Sequence, residues 1–345
     1  MAWNVTFRQF LLILNLSGLF WIAIQLTNDE KFLTNKYFNT ASSHDRFKEL
    51  YQQNIQTRKI VVDTKYPVVL SHPYKLNNEK ICRDVSNISV IVIVHTAPSH
   101  FEIRKRMRQT YLNSSHYAGK NIRVVFLLGL VSESSLQIEI EEESSTFNDI
   151  VQGYFVDSYH NLTNKGVMGF KWITEYCRNA EFVLKIDDDV FVNFFKVFKD
   201  ISSIKKKSKY IMCNRMDDGI NPIQRGEKDR WYVHPDEFRH VHHYPSTSCS
   251  GLAVFLSTDL VPLLYQSAFM SPFFWVDDYY LFGILPSKIS GVVHYDIGVN
   301  MSVYDNRGLQ CYTDKGKQCP IVVTLQNGTD GFINRCWDAI IKKYK

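Results

Sequence analysis

Three consecutive carboxylates, Asp187, Asp188 and Asp189, interrupt an apolar run that reads Phe-Val-Leu-Lys-Ile before them and Val-Phe-Val-Asn after them. Like charges held side by side repel unless a cation neutralises them, and an all-oxygen cluster suits a hard divalent ion such as Mg²⁺ or Mn²⁺. The chemistry this predicts is a metal–diphosphate site. Two other uses stay open. A solvated acidic turn needs no ligand, although flanks this apolar argue against an ordinary exposed loop. A phosphatase whose nucleophilic Asp closes a strand, with a second Asp two residues on, would use Asp187 and Asp189, but it usually has a small hydroxyl residue where Phe191 stands. An EF-hand is excluded, because its Gly and later Glu are missing.

A second acidic pair, Asp277 and Asp278, follows Phe274, Trp275 and Val276 and precedes a helix-like stretch from Tyr279 to Leu285. Carboxylates at a helix start are stabilised as caps by the helix dipole. The functional alternative is that one of them is a general base.

Elements that must position these groups follow from periodicity. Phe182, Val183, Leu184 and Ile186 form a short apolar run typical of a strand covered on both faces. Open α/β sheets bind ligands at the carboxyl ends of such strands. Further strands are predicted at Ser89 to His95, Arg123 to Gly129, Asp149 to Val156, Tyr210 to Asn214 and the apolar stretch after Gly251. Helices are predicted at Phe101 to Leu112, Leu136 to Ser145, Thr163 to Arg178, Val190 to Ile204, Asp259 to Tyr265 and Phe332 to Lys345. In the third of these, Val167, Phe170, Ile173 and Cys177 recur at helical spacing and read as core. Alternation of strands and helices predicts an α/β fold with a doubly wound, largely parallel sheet. Asp217 to Arg239 lacks periodicity and reads as a long loop beside the site.

The chain of 345 residues has ample apolar content for a core, and its net charge of +5 is unremarkable. Its one dense basic run, Lys205 to Lys209, has no interleaved aromatics, which argues against nucleic acid. Seven cysteines lack the close pairs of a zinc site, and their pairing is not legible. Residues 10–26 are uncharged and just long enough to span a bilayer, with Arg8 before and Asp29 and Glu30 after. The expected order is therefore a cytosolic tail at 1–9, a signal-anchor at 10–26, a polar stem at 27–86 and a lumenal domain at 87–345. Sequons at Asn87, Asn113, Asn161, Asn300 and Asn327 agree with a lumenal domain.

Five motifs in order resemble the β-1,3-glycosyltransferases, the galactosyl- and N-acetylglucosaminyltransferase family, over roughly Ser89 to Leu285. Arg104 to Tyr111 matches Arg-x-x-x-Arg-x-Thr-Trp, with Tyr111 in place of Trp. Phe126 to Gly129 matches Phe-Leu-Leu-Gly. Asp149 to Lys165 matches Asp-Ile-x-Gln-x-x-Phe-x-Asp-x-Tyr-x-Asn-Leu-Thr-x-Lys, and Lys185 to Asn193 matches Lys-x-Asp-Asp-Asp-x-Phe-Val-Asn. Asp277 to Gly283 resembles Glu-Asp-Val-Tyr-x-Gly with one residue more before the Gly, and Leu252-Ala253 stand where a second Gly and Tyr are common.

The resemblance implies a GT-A fold and a type II Golgi membrane protein. It implies Mn²⁺ and a UDP-sugar donor, UDP-galactose or UDP-N-acetylglucosamine, with a glycan acceptor on a glycoprotein or glycolipid. Asp189 is then expected to hold the metal most directly, with Asp187 also a metal ligand and Asp187 and Asp188 towards the ribose. Asp278 is expected to be the general base, with Asp277 as its substitute. Arg104, Arg108 and Lys165 are expected on the nucleotide side. His294 could add a metal contact, a structural role being the other reading. The same fold could also serve an inactive lumenal protein that binds sugar nucleotides or glycans.

Overall fold

The computed structural model describes residues 65–83, 85–200, 207–303, 307–326 and 331–344. The tail, the anchor and the stem as far as residue 64 lie outside them. Among the described residues, no helix is long and apolar enough to cross a membrane.

Strands β1 (Tyr74–Leu76), β2 (Val90–His95), β3 (Ile122–Leu130), β4 (Ile150–Val156), β5 (Phe182–Asp187), β7 (Tyr210–Cys213), β10 (Ala253–Ser257) and β11 (Val293–Asp296) form one sheet in the order β1-β4-β3-β2-β5-β10-β7-β11. β4, β3, β2 and β5 run parallel, as do β7 and β11, while β10 lies antiparallel between β5 and β7 and β1 closes the edge antiparallel to β4. The sheet is thus mixed and mostly parallel, as the alternating pattern predicts. β2 is buried at every position, because its side chains alternate between two core layers, Val90, Val92 and Val94 on one face and Ile91 and Ile93 on the other.

Helices α1 (Phe101–Gln109), α2 (Ser134–Phe147) and α3 (Leu162–Tyr176) follow β2, β3 and β4. Val167, Phe170 and Ile173 of α3 are fully buried in one of these layers, as their spacing requires. α4 (Phe194–Asp200), α5 (Val261–Ala268), α6 (Arg307–Lys315) and α7 (Phe332–Tyr344) complete the major helices.

Two expectations need correction. Val190 to Val192 are not helical: they form β6 (Val190–Val192), which pairs antiparallel with β13 (Val323–Leu325), and β13 pairs with β12 (Met301–Ser302). A partner some 130 positions away overrides local propensity here, and the helix begins only at Phe194. The stem was expected to reach residue 86, yet residues from 65 on belong to the folded unit. Val69 is buried, β1 joins the sheet, and Cys82 is disulfide-bonded to Cys177. Cys213 pairs with Cys249 and Cys311 with Cys319, while Cys336 is a buried free thiol.

Candidate active site

β2 and β5 end side by side, with His95 in register with Asp187. The backbone N–H of Asp188 donates to His95 O at 3.0 Å and that of Asp187 to Leu252 O at 3.2 Å. The acidic turn is therefore pinned to both neighbouring strands. Lys185, two positions inside the strand end, is buried and donates to Asp187 Oδ1 and to Gly251 O, each at 2.7 Å.

The triplet does not converge on one point. Asp187 is committed to Lys185. Asp188 accepts from Thr96 Oγ1 at 2.6 Å and meets His100 Nδ1 at 2.7 Å. Asp189 is exposed, and its main-chain oxygen accepts from Gln326 N at 2.6 Å. Divergence of this kind lets three adjacent carboxylates coexist.

Asp278 is oriented by the backbone N–H of Gly251, which donates to its Oδ2 at 2.9 Å. Gly251 is required at that point, because a Cβ there would lie 1.6 Å from Asp278 Oδ1. Lys185 and Asp278 thus share one peptide-bearing residue, the first through its carbonyl and the second through its N–H. Asp277 instead faces His95, Oδ2 to Nδ1, at 3.8 Å. That approach is not an ion pair: burial, then Lys185 and Lys165, hold the His95 imidazole well below its ordinary pKa, so it is neutral. Neither ring nitrogen of His95 has a protein partner. Burial, reinforced by the Asp278 charge, raises the Asp277 carboxyl. Asp187 is also raised, first by the protein packed around it, with Lys185 opposing. Lys185 is raised by Asp187, Asp277 and Asp278, although burial works against its charge.

Arg104, Arg108 and Lys165 are not free to meet a nucleotide directly. Arg104 is fully buried, and its guanidinium is divided between the Glu143 carboxylate, Thr96 Oγ1 and the carbonyls of Ala97 and Pro98. Arg108 is forked onto Asp149, bonded to Glu143 and laid over Phe126 and Phe147. Lys165 donates to Thr96 O at 2.7 Å and pairs with Asp157. Buried cations need such partners, and Arg104 and Lys165 between them brace the loop after β2 that carries Thr96 and His100. His294 sits on β11, three strands along the sheet from β5, with its ring bonded to the backbone at Phe282. The structure does not bring it to the triplet.

Residues that sequence reasoning missed come from the long loop and from the start of α3. Trp231 Nε1 donates to Tyr159 Oη at 2.7 Å, the Arg230 guanidinium lies 4.8 Å from the Tyr159 ring, and His160 stacks on Trp275 at 4.4 Å. Aromatic residues in otherwise polar segments were the available signal.

A divalent ion was expected at the triplet. Among the described residues no group of three His, Cys, Asp or Glu side chains gathers into a cage. A cage is not what a diphosphate-bound ion needs, since such an ion takes one or two carboxylates and completes its shell with phosphate oxygens and water. The exposed Asp189 carboxylate fits that arrangement, and Asp187 keeps one oxygen that Lys185 does not occupy.

Comparison with known proteins shows the family. Residues 102–296 match the galactosyltransferase family model. The chain is 31% identical over 245 residues to beta-1,3-galactosyltransferase 1 of Homo sapiens and of Mus musculus, covering 68% of this chain and 72% of those proteins. It is 30% identical over 236 residues to the lactosylceramide 1,3-N-acetyl-beta-D-glucosaminyltransferase of Xenopus tropicalis, covering 66% of this chain and 61% of that protein. Among solved structures it is similar to a WbbM bifunctional glycosyltransferase, with a TM-score of 0.38 and 10% identity over 76% of this chain and 52% of the other. A mixed α/β sheet with an acidic triplet at the end of β5, in a chain that matches this family model and these sequence relatives, defines a glycosyltransferase. The chain belongs to the galactosyltransferase family. That membership displaces the phosphatase reading of Asp187, which in any case is ion-paired to Lys185.

Proposed function

We propose that this protein is an inverting β-1,3-hexosyltransferase of GT-A type that moves galactose or N-acetylglucosamine from a UDP-sugar to a glycan hydroxyl. The relatives' names support β-1,3 transfer of one of these two sugars. A single observation carries the mechanism: Asp278 is held by the Gly251 N–H, Gly251 O holds Lys185, and Lys185 holds Asp187. The candidate base is thereby fixed in position relative to the acidic turn at the end of β5.

Mn²⁺ bound through Asp189 would supply Lewis-acid stabilisation of the UDP leaving group. The chain's own residues do the rest. Thr96 and His100 fix Asp188 and thereby the turn, on the side where ribose is expected. Asp278 accepts the acceptor hydroxyl proton as that oxygen attacks, a role for which an N–H-oriented carboxylate is suited. Attack opposite an α-linked leaving group gives a β-linkage. Asp277 is held only by its own backbone N–H and faces the neutral His95 ring rather than the Gly251 peptide, which favours Asp278 over it. Lumenal, Golgi-membrane placement through residues 10–26 belongs to the same reading.

The test is to secrete residues 28–345 from eukaryotic cells and measure UDP release from a UDP-sugar panel with mixed glycan acceptors. Metal-dependent release with one donor is expected, lost on chelation and in both Asp189→Ala and Asp278→Asn, with Asp278→Asn still binding UDP. No release despite UDP binding would refute the transferase and favour an inactive binding protein.

A further inference from the structure

The loop between β8 (Arg215–Met216) and β9 (Ser248–Cys249) looks shapeless in sequence but is internally tied. Arg225 sits at its centre and donates to the carbonyls of Val233, His234, Glu237, Phe238 and Val241. Phe238 packs edge-on against Tyr244, Phe274 and Tyr279, which anchors the loop to the segment bearing Asp277 and Asp278. Five carbonyls converging on one guanidinium fix the backbone of a loop that has no helix or strand to do so.

What the loop presents is an exposed aromatic. Trp231 is 49% exposed, and its indole N–H is spent on Tyr159 Oη. Tyr159, itself 39% exposed, lies 6.2 Å from Trp275, and Arg230 covers the Tyr159 ring. Trp275 is two residues from Asp277, and Thr163 Oγ1 bonds to Phe274 O at 2.7 Å, which locks the start of α3 to that segment. The platform is therefore built onto the same few residues that carry the candidate base.

Large aromatic faces with their polar atoms already bonded offer apolar area and little competing hydrogen bonding. A pyranose ring presents a matching C–H face, with its hydroxyls at the rim. The cation beside them, Arg230, is laid over the Tyr159 and Trp231 rings, so the surface presents aromatic faces rather than a clamp for a diphosphate. We propose that Trp231, with Tyr159 and Trp275, forms the acceptor subsite, and that it takes the terminal hexose of an uncharged glycan, stacked so that its hydroxyl reaches Asp278. This rests on the transferase reading above, which it deepens by assigning the acceptor's place and class.

The experiment titrates the secreted protein, saturated with UDP and Mn²⁺, with neutral disaccharides ending in galactose, N-acetylglucosamine, mannose or N-acetylgalactosamine, read by saturation-transfer NMR. At least one should bind the wild type, and Trp231→Ala should weaken it about 10- to 100-fold, the range of a central aromatic contact. Trp231→Phe should restore most of that loss, and UDP affinity in both variants reports an intact fold. In turnover, the loss should fall on acceptor KM. Equal glycan affinity in Trp231→Ala and wild type, or no neutral glycan bound by the wild type, overturns the platform. A wild type that binds glycan through Trp231 but never releases UDP from any donor overturns the transferase reading instead.

Discussion

Gly251→Ala tests the base assignment without altering either carboxylate. The added Cβ would lie 1.6 Å from Asp278 Oδ1 and 2.4 Å from its Cγ, whereas ordinary contact begins at 3.4 Å. The nearer oxygen must therefore retreat by about 1.8 Å, the difference between these distances, and its neighbour is drawn off the Gly251 N–H. A misplacement of about 1 Å at a reacting group can cost about 100-fold, and a general base contributes about 10²- to 10⁴-fold. The expected fall in kcat is thus about 10²- to 10³-fold. Cost to the fold is smaller, because the group that moves is the end of a half-buried side chain with water within reach. One hydrogen bond to a charged group is lost, about 1.5–3 kcal/mol at most when no solvent replaces it. UDP-release kinetics with saturating donor and acceptor, beside a urea titration, separate the two effects. In an Asp278→Asn background, Gly251→Ala should cost little more, since both remove one function. A Gly251→Ala enzyme with kcat within threefold of wild type would refute the assignment of Asp278.

Three further outcomes are expected. Asp277→Asn should lower kcat by less than about tenfold while Asp278→Asn lowers it by the full contribution of a general base, about 10²- to 10⁴-fold; the reverse order would make Asp277 the base. His95 is buried with its pKa held below the ordinary value, so below about pH 6.5 the unfolded chain takes up a proton that the folded one refuses. Stability is then full above that pH and falls with acid by up to about 1.4 kcal/mol per unit, and a His95→Gln variant should show a flatter urea midpoint between pH 7.5 and 5. The Cys82–Cys177 bridge spans 95 positions, so replacing both cysteines by Ser should destabilise by about 2–5 kcal/mol and expose residues 65–83 to protease first; unchanged thermal unfolding would count against that anchoring.

The parts legible in sequence are those whose cause is local. β2, β3 and β5 are apolar runs of strand length, α3 shows its buried stripe at helical spacing, and a parallel sheet follows from their alternation. Long-range partners were not legible. Arg104, Arg108 and Lys165 have the charge and spacing of nucleotide contacts, and only the fold brings Glu143, Asp149 and Asp157 against them. Glu143 belongs to a helix rich in glutamate, yet it faces two arginines and is buried. Three residues of β1 show no pattern, because a short edge strand owes its pairing to β4 and its anchorage to a disulfide. Trp231 stands in a loop without periodicity whose order comes from Arg225, from backbone hydrogen bonds within the loop and from the packing of Phe238.

One departure from the family pattern is explained by the backbone. The acidic pair is followed by one residue more than expected before Gly283, and an insertion within a buried helix should rotate everything beyond it by about 100°. Residues Tyr280–Ile284 instead form a π-helical turn, between α-helical turns at Asp277–Tyr279 and Leu285–Ser287. A π-turn closes its hydrogen bond one residue later than an α-turn, so it takes up the extra residue where it occurs, and such turns recur at functional sites. Both ends keep their contacts: Asp278 still accepts from Gly251, and Gly283 still packs against the Tyr279 ring and Ser248. Tyr280, Leu281, Phe282 and Gly283 all remain buried, so the added residue enters the core. The change in spacing is therefore taken up within the π-turn while Asp278 keeps its hydrogen bond to Gly251, so the altered motif is compatible with an active enzyme.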